Sequence, residues 1–196
     1  MPGSGSASII LASASPRRRQ LLSQAGYKFS VVLSGIDESD FSAEGISPCE
    51  YAKKLALAKA RSVAQLFADT VVIGADTIVD YNGEIIGKAA DAEQAEQITR
   101  KLFSAPHKVI TGLAIVRLSS GIEIVESDMT TVYPKPLTDK QLAEHIKSGV
   151  WKDKAGAYAI REDDDEFVER IEGSLTNVMG LPMELLGRLL KSDFGG

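Results

Sequence analysis

Short apolar runs separated by Gly, Pro, Asn and Ser residues divide this chain into a series of predicted β-strands. Two long β-rich runs, 108–118 and 122–132, flank a Ser-Ser-Gly turn and predict an antiparallel hairpin. The run 71–80 leads into Asn82-Gly83, a dipeptide that favours a tight type I′ turn, and the chain returns over 84–86. The remaining predicted strands are 9–12, 29–33, 155–160 and 167–171.

Amphipathic segments that begin with capping residues predict five helices. Their predicted ranges are 16–25, 48–67, 91–103, 138–147 and 182–191. The two hairpins argue against an all-parallel, doubly wound sheet. We therefore expect a mixed α/β fold, with helices on both faces of the sheet and a cleft between two lobes.

Composition and charge narrow the class of protein. The 196 residues carry 22 Lys and Arg against 27 Asp and Glu, a net charge of −5, which argues against a nucleic-acid partner. No apolar run is long enough to cross a membrane, so no membrane partner is expected. Cys49 is the only cysteine, which suits a reducing compartment. We expect a cytoplasmic protein with one domain over 8–192, after a flexible or added N-terminus at 1–7.

A cluster of hydroxyl and arginine side chains follows the first predicted strand. Ser15 is a predicted N-cap with Pro16 at the first helical position, and three arginines fill the first turn. Cations are unfavourable at a helix N-terminus, whereas a phosphate group is favourable there. An Arg guanidinium can also bind two oxygens of one phosphate at the same time. The pattern favours a phosphate site over a solvated basic patch. In an acidic protein such a site is local, which suits a small anionic ligand.

Three further segments carry candidate chemistry. Asp76 lies within an apolar strand, where a carboxylate is costly unless it is paired, hydrated or metal-bound, although it could also cap a turn. Lys88 follows Gly87 and could reach a phosphate, or could be a solvated loop lysine. Asp37-Glu38 could hold Mg²⁺ with oxygen ligands, or form an ordinary acidic turn.

Several catalytic classes are disfavoured. His107 and His145 do not have the spacing of a zinc site. The chain has neither a Gly-x-Ser-x-Gly nucleophile elbow nor a P-loop motif. The acidic run 162–166 is most simply a solvated hairpin tip.

These motifs together resemble those of the Maf proteins, nucleotide pyrophosphatases related in fold to the Ham1-type inosine triphosphate pyrophosphatases. The resemblance covers about residues 9–190, and several ordered motifs at these separations argue against a chance match. The matching motifs are LASASPRR (11–18), GIDE (35–38), LAKA (57–60), GADTIV (74–79), NGE (82–84), GK (87–88), KAGAY (154–158) and IEGSLTNVMGLP (171–182).

The resemblance implies hydrolysis of a nucleoside triphosphate to the monophosphate and pyrophosphate, with a divalent metal such as Mg²⁺, Mn²⁺ or Co²⁺. It also implies an elongated, twisted mixed sheet with the site in the cleft between two lobes, and usually a homodimer. Arg17 and Tyr158 lie in sequence motifs that resemble those of the branch of the family that acts on dTTP and UTP. Two departures from the family pattern are Ala89, where a proline is common after the lysine, and Arg161, where relatives often have a Gln.

Given this resemblance, Asp76 is expected to be the general base or a metal ligand, and Glu38 a metal ligand or second base. Lys88 is expected to take part in catalysis as well as in phosphate binding. The expected phosphate-binding residues are Ser13, Ser15, Arg17, Arg18, Lys59 and Lys88. The other expected substrate contacts are Tyr158, Arg161, Ser174 and Asn177. Helix capping remains an equal alternative for Ser174 and Asn177.

Two other functions remain open at this point. One is a purine-directed house-cleaning pyrophosphatase that acts on inosine or 7-methyl-GTP nucleotides. The other is a nucleotide-binding regulator of cell division or septum formation with little turnover. Asp76 and Glu38 are both present, and this acidic pair favours an enzyme.

Overall fold

The computed structural model describes residues 9–152, 154–158, 160 and 167–194. Arg161 and the acidic run 162–166 therefore lie outside the described residues. Within the described part of the chain, the strands are β1 (Ile9–Leu11), β2 (Phe29–Val31), β3 (Val71–Tyr81), β4 (Glu84–Ile86), β5 (His107–Arg117), β6 (Ile122–Pro134) and β7 (Val168–Glu172). The α-helices are α1 (Pro16–Gln24), α2 (Pro48–Ala64), α3 (Ala92–Leu102), α4 (Asp139–Ser148), α5 (Leu175–Val178) and α6 (Met183–Phe194).

The seven strands form one mixed sheet in the order β2-β1-β3-β5-β6-β7, with β4 paired to β3 outside this path. β1 runs parallel to both β2 and β3, whereas the β3–β4, β3–β5, β5–β6 and β6–β7 pairs are antiparallel. Both predicted hairpins are therefore confirmed, and so is the prediction of a mixed rather than an all-parallel sheet.

Helices cover both faces of this sheet. Alternate residues of a strand point to opposite faces. On one face, Ile73 packs with Leu22 of α1 and Leu186 of α6. On the other face, Val72 packs with Ala56 and other small residues of α2. Because both faces are buried, the central strands are continuously apolar rather than alternating in polarity.

Helix α2 lies directly on the backbone of β3 and β5. A Cβ atom added to Gly74 would come within 2.3 Å of the Ala56 carbonyl oxygen, and one added to Gly112 within 2.2 Å of the Ala52 carbonyl oxygen. Only glycine fits at these two positions, so the glycines of β3 and β5 are what allow α2 to approach the sheet this closely. Lys59 is a buried residue of this helix.

One prediction of local structure is wrong, and one short helix was missed. The described residues of the run 155–160 do not form a strand, because Ala155 pairs with Lys88 only as an isolated antiparallel bridge and the next two residues, Gly156 and Ala157, both have positive φ angles. The four-residue helix α5 was not predicted, since it is too short to show an apolar period. Among the described residues, no helix combines the length and the apolar character needed to cross a bilayer.

Candidate active site

A cleft of about 660 Å³ opens at the C-terminal end of β1, beside the middle of β3. This volume is within the range of small-molecule sites, so a nucleotide can fit. Nine of the predicted site residues line the cleft: Ser13, Ser15, Arg17, Arg18, Glu38, Lys59, Asp76, Lys88 and Tyr158. These residues come from segments far apart in the chain, and the fold brings them together.

At the floor of the cleft, one lysine joins two carboxylates. Lys59 Nζ donates to Asp76 Oδ1 at 2.5 Å and to Glu38 Oε1 at 2.7 Å. The side chains of Lys59 and Asp76 are only 11% and 9% exposed, whereas that of Glu38 is 44% exposed. On the outer side, Lys88 Nζ lies 3.8 Å from Glu38 Oε2. Asp76 is therefore a buried carboxylate held by a buried cation. Glu38 connects this pair to Lys88, which lies at the exposed rim of the cleft.

The two carboxylates have pKa values that shift in opposite directions. Burial raises the pKa of Asp76, and the nearby positive charges of Lys59 and Arg18 only partly oppose this effect. Burial acts in the same direction on Glu38, but the hydrogen bond and charge of Lys59, with the charges of Lys88 and Arg18, lower the pKa of Glu38 overall. Such a separation suits two distinct roles, a proton acceptor at Asp76 and a permanently ionised group at Glu38.

Asp76 and its neighbour Thr77 point to opposite faces of β3, and each contacts a cation. Asp76 contacts Lys59 of α2, whereas the Thr77 hydroxyl accepts a hydrogen bond from Arg18 of α1. The Arg18 guanidinium is buried, which lowers its pKa, while Asp76 and Glu38 favour its charged form. Its N–H groups donate to Ser13, the Ala75 carbonyl oxygen, Thr77 and the Gly180 carbonyl oxygen.

The turn between β1 and α1 supplies hydroxyl and cationic groups. Ser15 caps α1 by accepting a hydrogen bond from the Arg18 backbone N–H, as predicted. Ser13 Oγ accepts from the Ser15 backbone N–H at 3.1 Å. The Arg17 guanidinium lines the cleft, and its partial burial lowers its pKa, an effect that the neighbouring Tyr158 opposes.

Two segments at the rim of the cleft, one around Lys88 and one around Ala155, are hydrogen-bonded to each other. Lys88 and Ala155 form the isolated β-bridge, and the Gly156 N–H donates to the Gly87 carbonyl oxygen. Tyr158 follows in this second segment, and its hydroxyl lies 2.6 Å from His107 Nε2. His107 Nδ1 donates to the Leu102 carbonyl oxygen, so Nε2 accepts from Tyr158. Burial lowers the pKa of His107, which keeps its ring neutral.

Ser174 and Asn177 do not line the cleft. Ser174 caps α5 by accepting a hydrogen bond from the Asn177 backbone N–H, and it donates to Glu184. The Asn177 side chain is fully buried and donates to the Val109 carbonyl oxygen and to Thr130. Ser174 therefore caps α5 rather than the terminal helix, and the Asn177 side chain does not act as a cap. A role of these residues as substrate contacts stays a prediction. Arg161 lies outside the described residues.

Sequence reasoning did not single out Thr77 or Gly180, which hold Arg18, nor Lys152 and Lys154, which also line the cleft. Thr77 lies within the GADTIV motif, so its place beside Asp76 was a usable signal. Lys154 begins the KAGAY motif, which was also a usable signal, whereas nothing in the sequence distinguishes Lys152 from a solvated charge.

The carboxylate pair can accommodate a divalent cation. Across the described residues, no cluster of three or more His, Cys, Asp or Glu side chains has the arrangement of a metal site. However, Mg²⁺ is commonly held by one or two carboxylates, with waters and substrate phosphates as its other ligands. Glu38 and Asp76 provide two such oxygen donors beside a cation-lined cleft, so they fit a metal that binds together with a polyphosphate.

Comparison with known proteins adds independent information. Residues 8–193 match the family described as Maf-like protein. The chain is 46% identical over 176 residues to the dTTP/UTP pyrophosphatase of Citrifermentans bemidjiense, with 90% of each chain covered. It is 45% identical to the enzyme of the same name from Alkaliphilus oremlandii, covering 95% of this chain and 96% of the relative.

A solved structure, that of the Staphylococcus aureus Ham1 protein, resembles the fold with a TM-score of 0.54 at 15% identity. The match covers 95% of this chain and 99% of the other. At this level of identity the likeness concerns the fold alone, and it supports the mixed sheet with flanking helices.

Proposed function

This chain belongs to the Maf-like protein family, and from this premise we propose that its cleft hydrolyses dTTP and UTP to the monophosphate and pyrophosphate. The proposal draws its substrates from relatives that are named dTTP/UTP pyrophosphatases. The observation that carries its chemistry is the Glu38–Lys59–Asp76 cluster at the floor of a cleft that Arg17 and Lys88 also line.

The cations of the cleft are the first requirement of this reaction. A triphosphate carries dense negative charge, and its hydrolysis depends on positioning and electrostatic neutralisation. In our proposal Arg17 and Lys88 bind phosphate oxygens from the rim, and Lys59 stabilises charge near the floor. Ser13 and Ser15 add hydroxyl and backbone contacts at the start of α1, where the helix dipole favours an anion.

Asp76 is the proposed general base. Its Oδ1 is held by Lys59, so Oδ2 is the oxygen that can take a proton from water. The water attacks the α-phosphorus, the bond to the α–β bridging oxygen breaks, and pyrophosphate leaves with the electron pair. Burial raises the pKa of Asp76, which brings it nearer to neutral pH and improves a carboxylate as a base. Glu38, with its lowered pKa, stays ionised through the cycle.

A divalent metal, Mg²⁺, Mn²⁺ or Co²⁺, is the proposed cofactor, with Glu38 as a protein ligand and with Asp76 as a second ligand in the alternative in which Asp76 is not the general base. When bound, such an ion supplies a Lewis acid for phosphate oxygens and lowers the pKa of coordinated water.

The base of the nucleotide is proposed to occupy the apolar part of the cleft. Val79, Val109, Tyr158, Ile160 and Val178 belong to one apolar cluster, and all five line the cleft. An apolar wall accepts a pyrimidine ring and disfavours charged groups, so the phosphates are directed toward the cationic part. Tyr158 and Arg161 keep their proposed roles as substrate contacts.

The direct test is a panel of canonical and modified nucleoside triphosphates, incubated with the full chain and Mg²⁺ or Mn²⁺. We expect pyrophosphate, without orthophosphate, from dTTP and UTP. Preferential hydrolysis of inosine or 7-methyl-GTP nucleotides would keep the mechanism and overturn the assignment to pyrimidines. Binding without any pyrophosphate release would favour the regulatory function.

Other expectations from the sequence also stay proposals. We propose a homodimer, a cytoplasmic location and one domain over 8–192. The net charge of −5 disfavours a nucleic-acid partner. Light scattering of the purified protein tests the oligomeric state.

A further inference from the structure

Two adjacent arginines of α1 stand in different environments. Arg17 is partly exposed and lines the cleft, whereas Arg18 is only 9% exposed and is surrounded by hydrogen-bond acceptors of the protein itself. The acceptors of Arg18 come from three separate segments, namely the turn at Ser13, strand β3 and the turn at Gly180. Neighbours in sequence therefore need not share a role.

The hydrogen bonds of Arg18 leave little capacity for a phosphate. Nε donates to the Gly180 carbonyl oxygen at 2.7 Å, and Nη1 donates to the Ala75 carbonyl oxygen at 2.8 Å and to Ser13 Oγ at 3.1 Å. Nη2 donates to Thr77 Oγ1 at 3.1 Å. A guanidinium has five N–H groups, and four are used here. A bidentate grip needs two parallel N–H groups, so Arg18 would have to break an existing bond to bind a phosphate in that way.

The bond to Ser13 determines what the serine can do. Ser13 Oγ accepts one hydrogen bond from the Ser15 backbone N–H and a second from Arg18. A hydroxyl oxygen has two acceptor positions, and both are now used. The remaining O–H can act only as a donor, which is the polarity that a phosphate oxygen requires.

The bonds to β3 hold the strand on both sides of Asp76. Arg18 contacts the residue before Asp76 through the Ala75 carbonyl oxygen and the residue after it through the Thr77 hydroxyl. Thr77 in turn donates to Thr111, because the Thr111 hydroxyl proton goes to the Asn177 carbonyl oxygen. The guanidinium is therefore the first member of a buried hydrogen-bond chain that runs across the sheet.

We propose that Arg18 is a positioning residue rather than a phosphate ligand, one that fixes the Ser13 hydroxyl as a donor and holds the backbone on which Asp76 stands. This inference rests on the proposed function, because its consequence is the correct placement of a phosphate-binding hydroxyl and a base. Gly180 supplies one of the carbonyl oxygens that hold the Arg18 guanidinium. Its φ of +109° is a backbone conformation that other residues rarely adopt.

The test compares three arginines of one helical turn. Arg18→Lys is measured beside Arg17→Lys, with Arg19→Lys as the control because Arg19 is exposed and does not line the cleft. The readouts are kcat for pyrophosphate release from dTTP and the Kd of α,β-methylene dTTP, measured by calorimetry. Arg18→Lys should lower kcat by about 10- to 100-fold, as expected for a misplacement of about 1 Å, and change Kd less than about threefold. Arg17→Lys should raise Kd by about tenfold.

A double-mutant cycle with Ser13→Ala tests the route of the effect. If Arg18 acts through Ser13, then Arg18→Lys should cost clearly less in kcat when Ser13 is already Ala. A tenfold loss of analogue affinity in Arg18→Lys, an unchanged kcat, or full additivity with Ser13→Ala would overturn the proposal. Should Arg18→Lys fold poorly, Thr77→Val removes one acceptor of the guanidinium, and the same criteria apply to it with a smaller expected loss of kcat.

Failure of the proposed function is distinguishable from failure of this inference. If the wild-type protein releases no pyrophosphate from any triphosphate, the proposed function fails. Arg18 is then judged on the nucleotide-free protein by hydrogen exchange of the backbone amides at 13–15 and 74–78. Arg18→Lys should speed exchange in both segments and Arg19→Lys in neither, and unchanged exchange in Arg18→Lys would overturn the positioning role.

Discussion

Lys59 Nζ lies 2.5 Å from Asp76 Oδ1, and both side chains are almost fully buried. The same ammonium also binds Glu38 Oε1, so one cation from α2 bridges two carboxylates at the floor of the cleft. Desolvating a charge is costly unless it is paired and hydrogen-bonded. This pairing explains how Asp76 can lie inside an otherwise apolar strand.

Replacement of Asp76 by Asn removes the proposed base and keeps the shape of the side chain. We expect pyrophosphate release from dTTP to fall by roughly 10²–10⁴-fold, the usual contribution of a general base, while the protein still folds. The matched control is Asp80→Asn on the same strand, because Asp80 Oδ1 only accepts the Gly83 N–H of the hairpin turn and an amide oxygen can do the same. Near-normal turnover in Asp76→Asn would remove Asp76 from the mechanism.

Replacement of Lys59 by Met leaves Asp76 and Glu38 without their shared counter-ion. Breaking a buried ion pair costs about 3–5 kcal/mol in the free energy of unfolding, and we expect the lower end because Glu38 is partly exposed. A divalent cation can then replace the missing charge. Mg²⁺ should therefore raise the thermal midpoint of Lys59→Met more than that of the wild type.

The control for this experiment is Lys54→Met, since Lys54 is an exposed residue of the same helix. Calorimetric unfolding with and without Mg²⁺, in the absence of nucleotide, gives the comparison. An equal Mg²⁺ shift in Lys59→Met and the wild type would argue against metal binding by this carboxylate pair.

The contact of α2 with bare strand backbone predicts a strong effect of a single methyl group. Gly74→Ala and Gly112→Ala each place a Cβ against backbone atoms of α2, which cannot move without the helix. Overpacking of this kind costs about 1–3 kcal/mol, sometimes more, and here it also displaces Lys59. Gly87→Ala is the control for stability, because a Cβ there meets nothing within 4 Å. Urea unfolding should rank both strand variants well below Gly87→Ala.

His107 makes stability depend on pH in a defined direction. Burial lowers the pKa of His107 in the folded protein, so below about pH 6.5 the unfolded chain binds a proton that the folded chain excludes. Stability from this group is therefore complete above about pH 6.5 and is lost as the pH falls toward the lower, folded-state pKa. Urea unfolding at a series of pH values from neutral to mildly acidic measures the loss.

His107→Gln separates this contribution from that of the carboxylates, which also titrate in acid. Gln cannot take up a proton, so the variant should lose less stability on acidification than the wild type, even if its stability at neutral pH is lower. His107 Nε2 contacts the Tyr158 hydroxyl, which is present in both proteins. Parallel curves for the two proteins would exclude His107 as the source.

Local patterns were sufficient to predict most of the fold. Asn82-Gly83 and the Ser-Ser-Gly turn encode their hairpins within a few residues, and the capping box of Thr138 with Gln141 is present in α4. The segment after Ala155 was predicted wrongly as a strand, because its conformation depends on contacts that are distant in sequence. One of these contacts is a hydrogen bond between His145 and the Ala157 carbonyl oxygen.

In the candidate site, too, some features follow from local sequence and others depend on contacts that are distant in sequence. The residue types of the site were predictable, because a carboxylate in an apolar strand and arginines in a first helical turn need partners. Which partner each one has was not predictable. Lys59 is one of several cations on α2, and only the position of the helix on Gly74 and Gly112 directs it to Asp76. Arg17 and Arg18 look alike in sequence and differ in burial.

The reacting groups and Tyr158, one residue of the apolar wall, are carried by different parts of the architecture. Asp76 and Lys59 are carried by a central strand and a long helix, whereas Tyr158 lies on a rim segment joined to Lys88 by a single β-bridge. A substitution of Tyr158 therefore changes the surroundings of the base without altering the strand and the helix that carry Asp76 and Lys59. We expect a lineage with this scaffold to vary the residues beside the nucleobase, such as Tyr158, while the phosphate chemistry passes unchanged from ancestor to descendant.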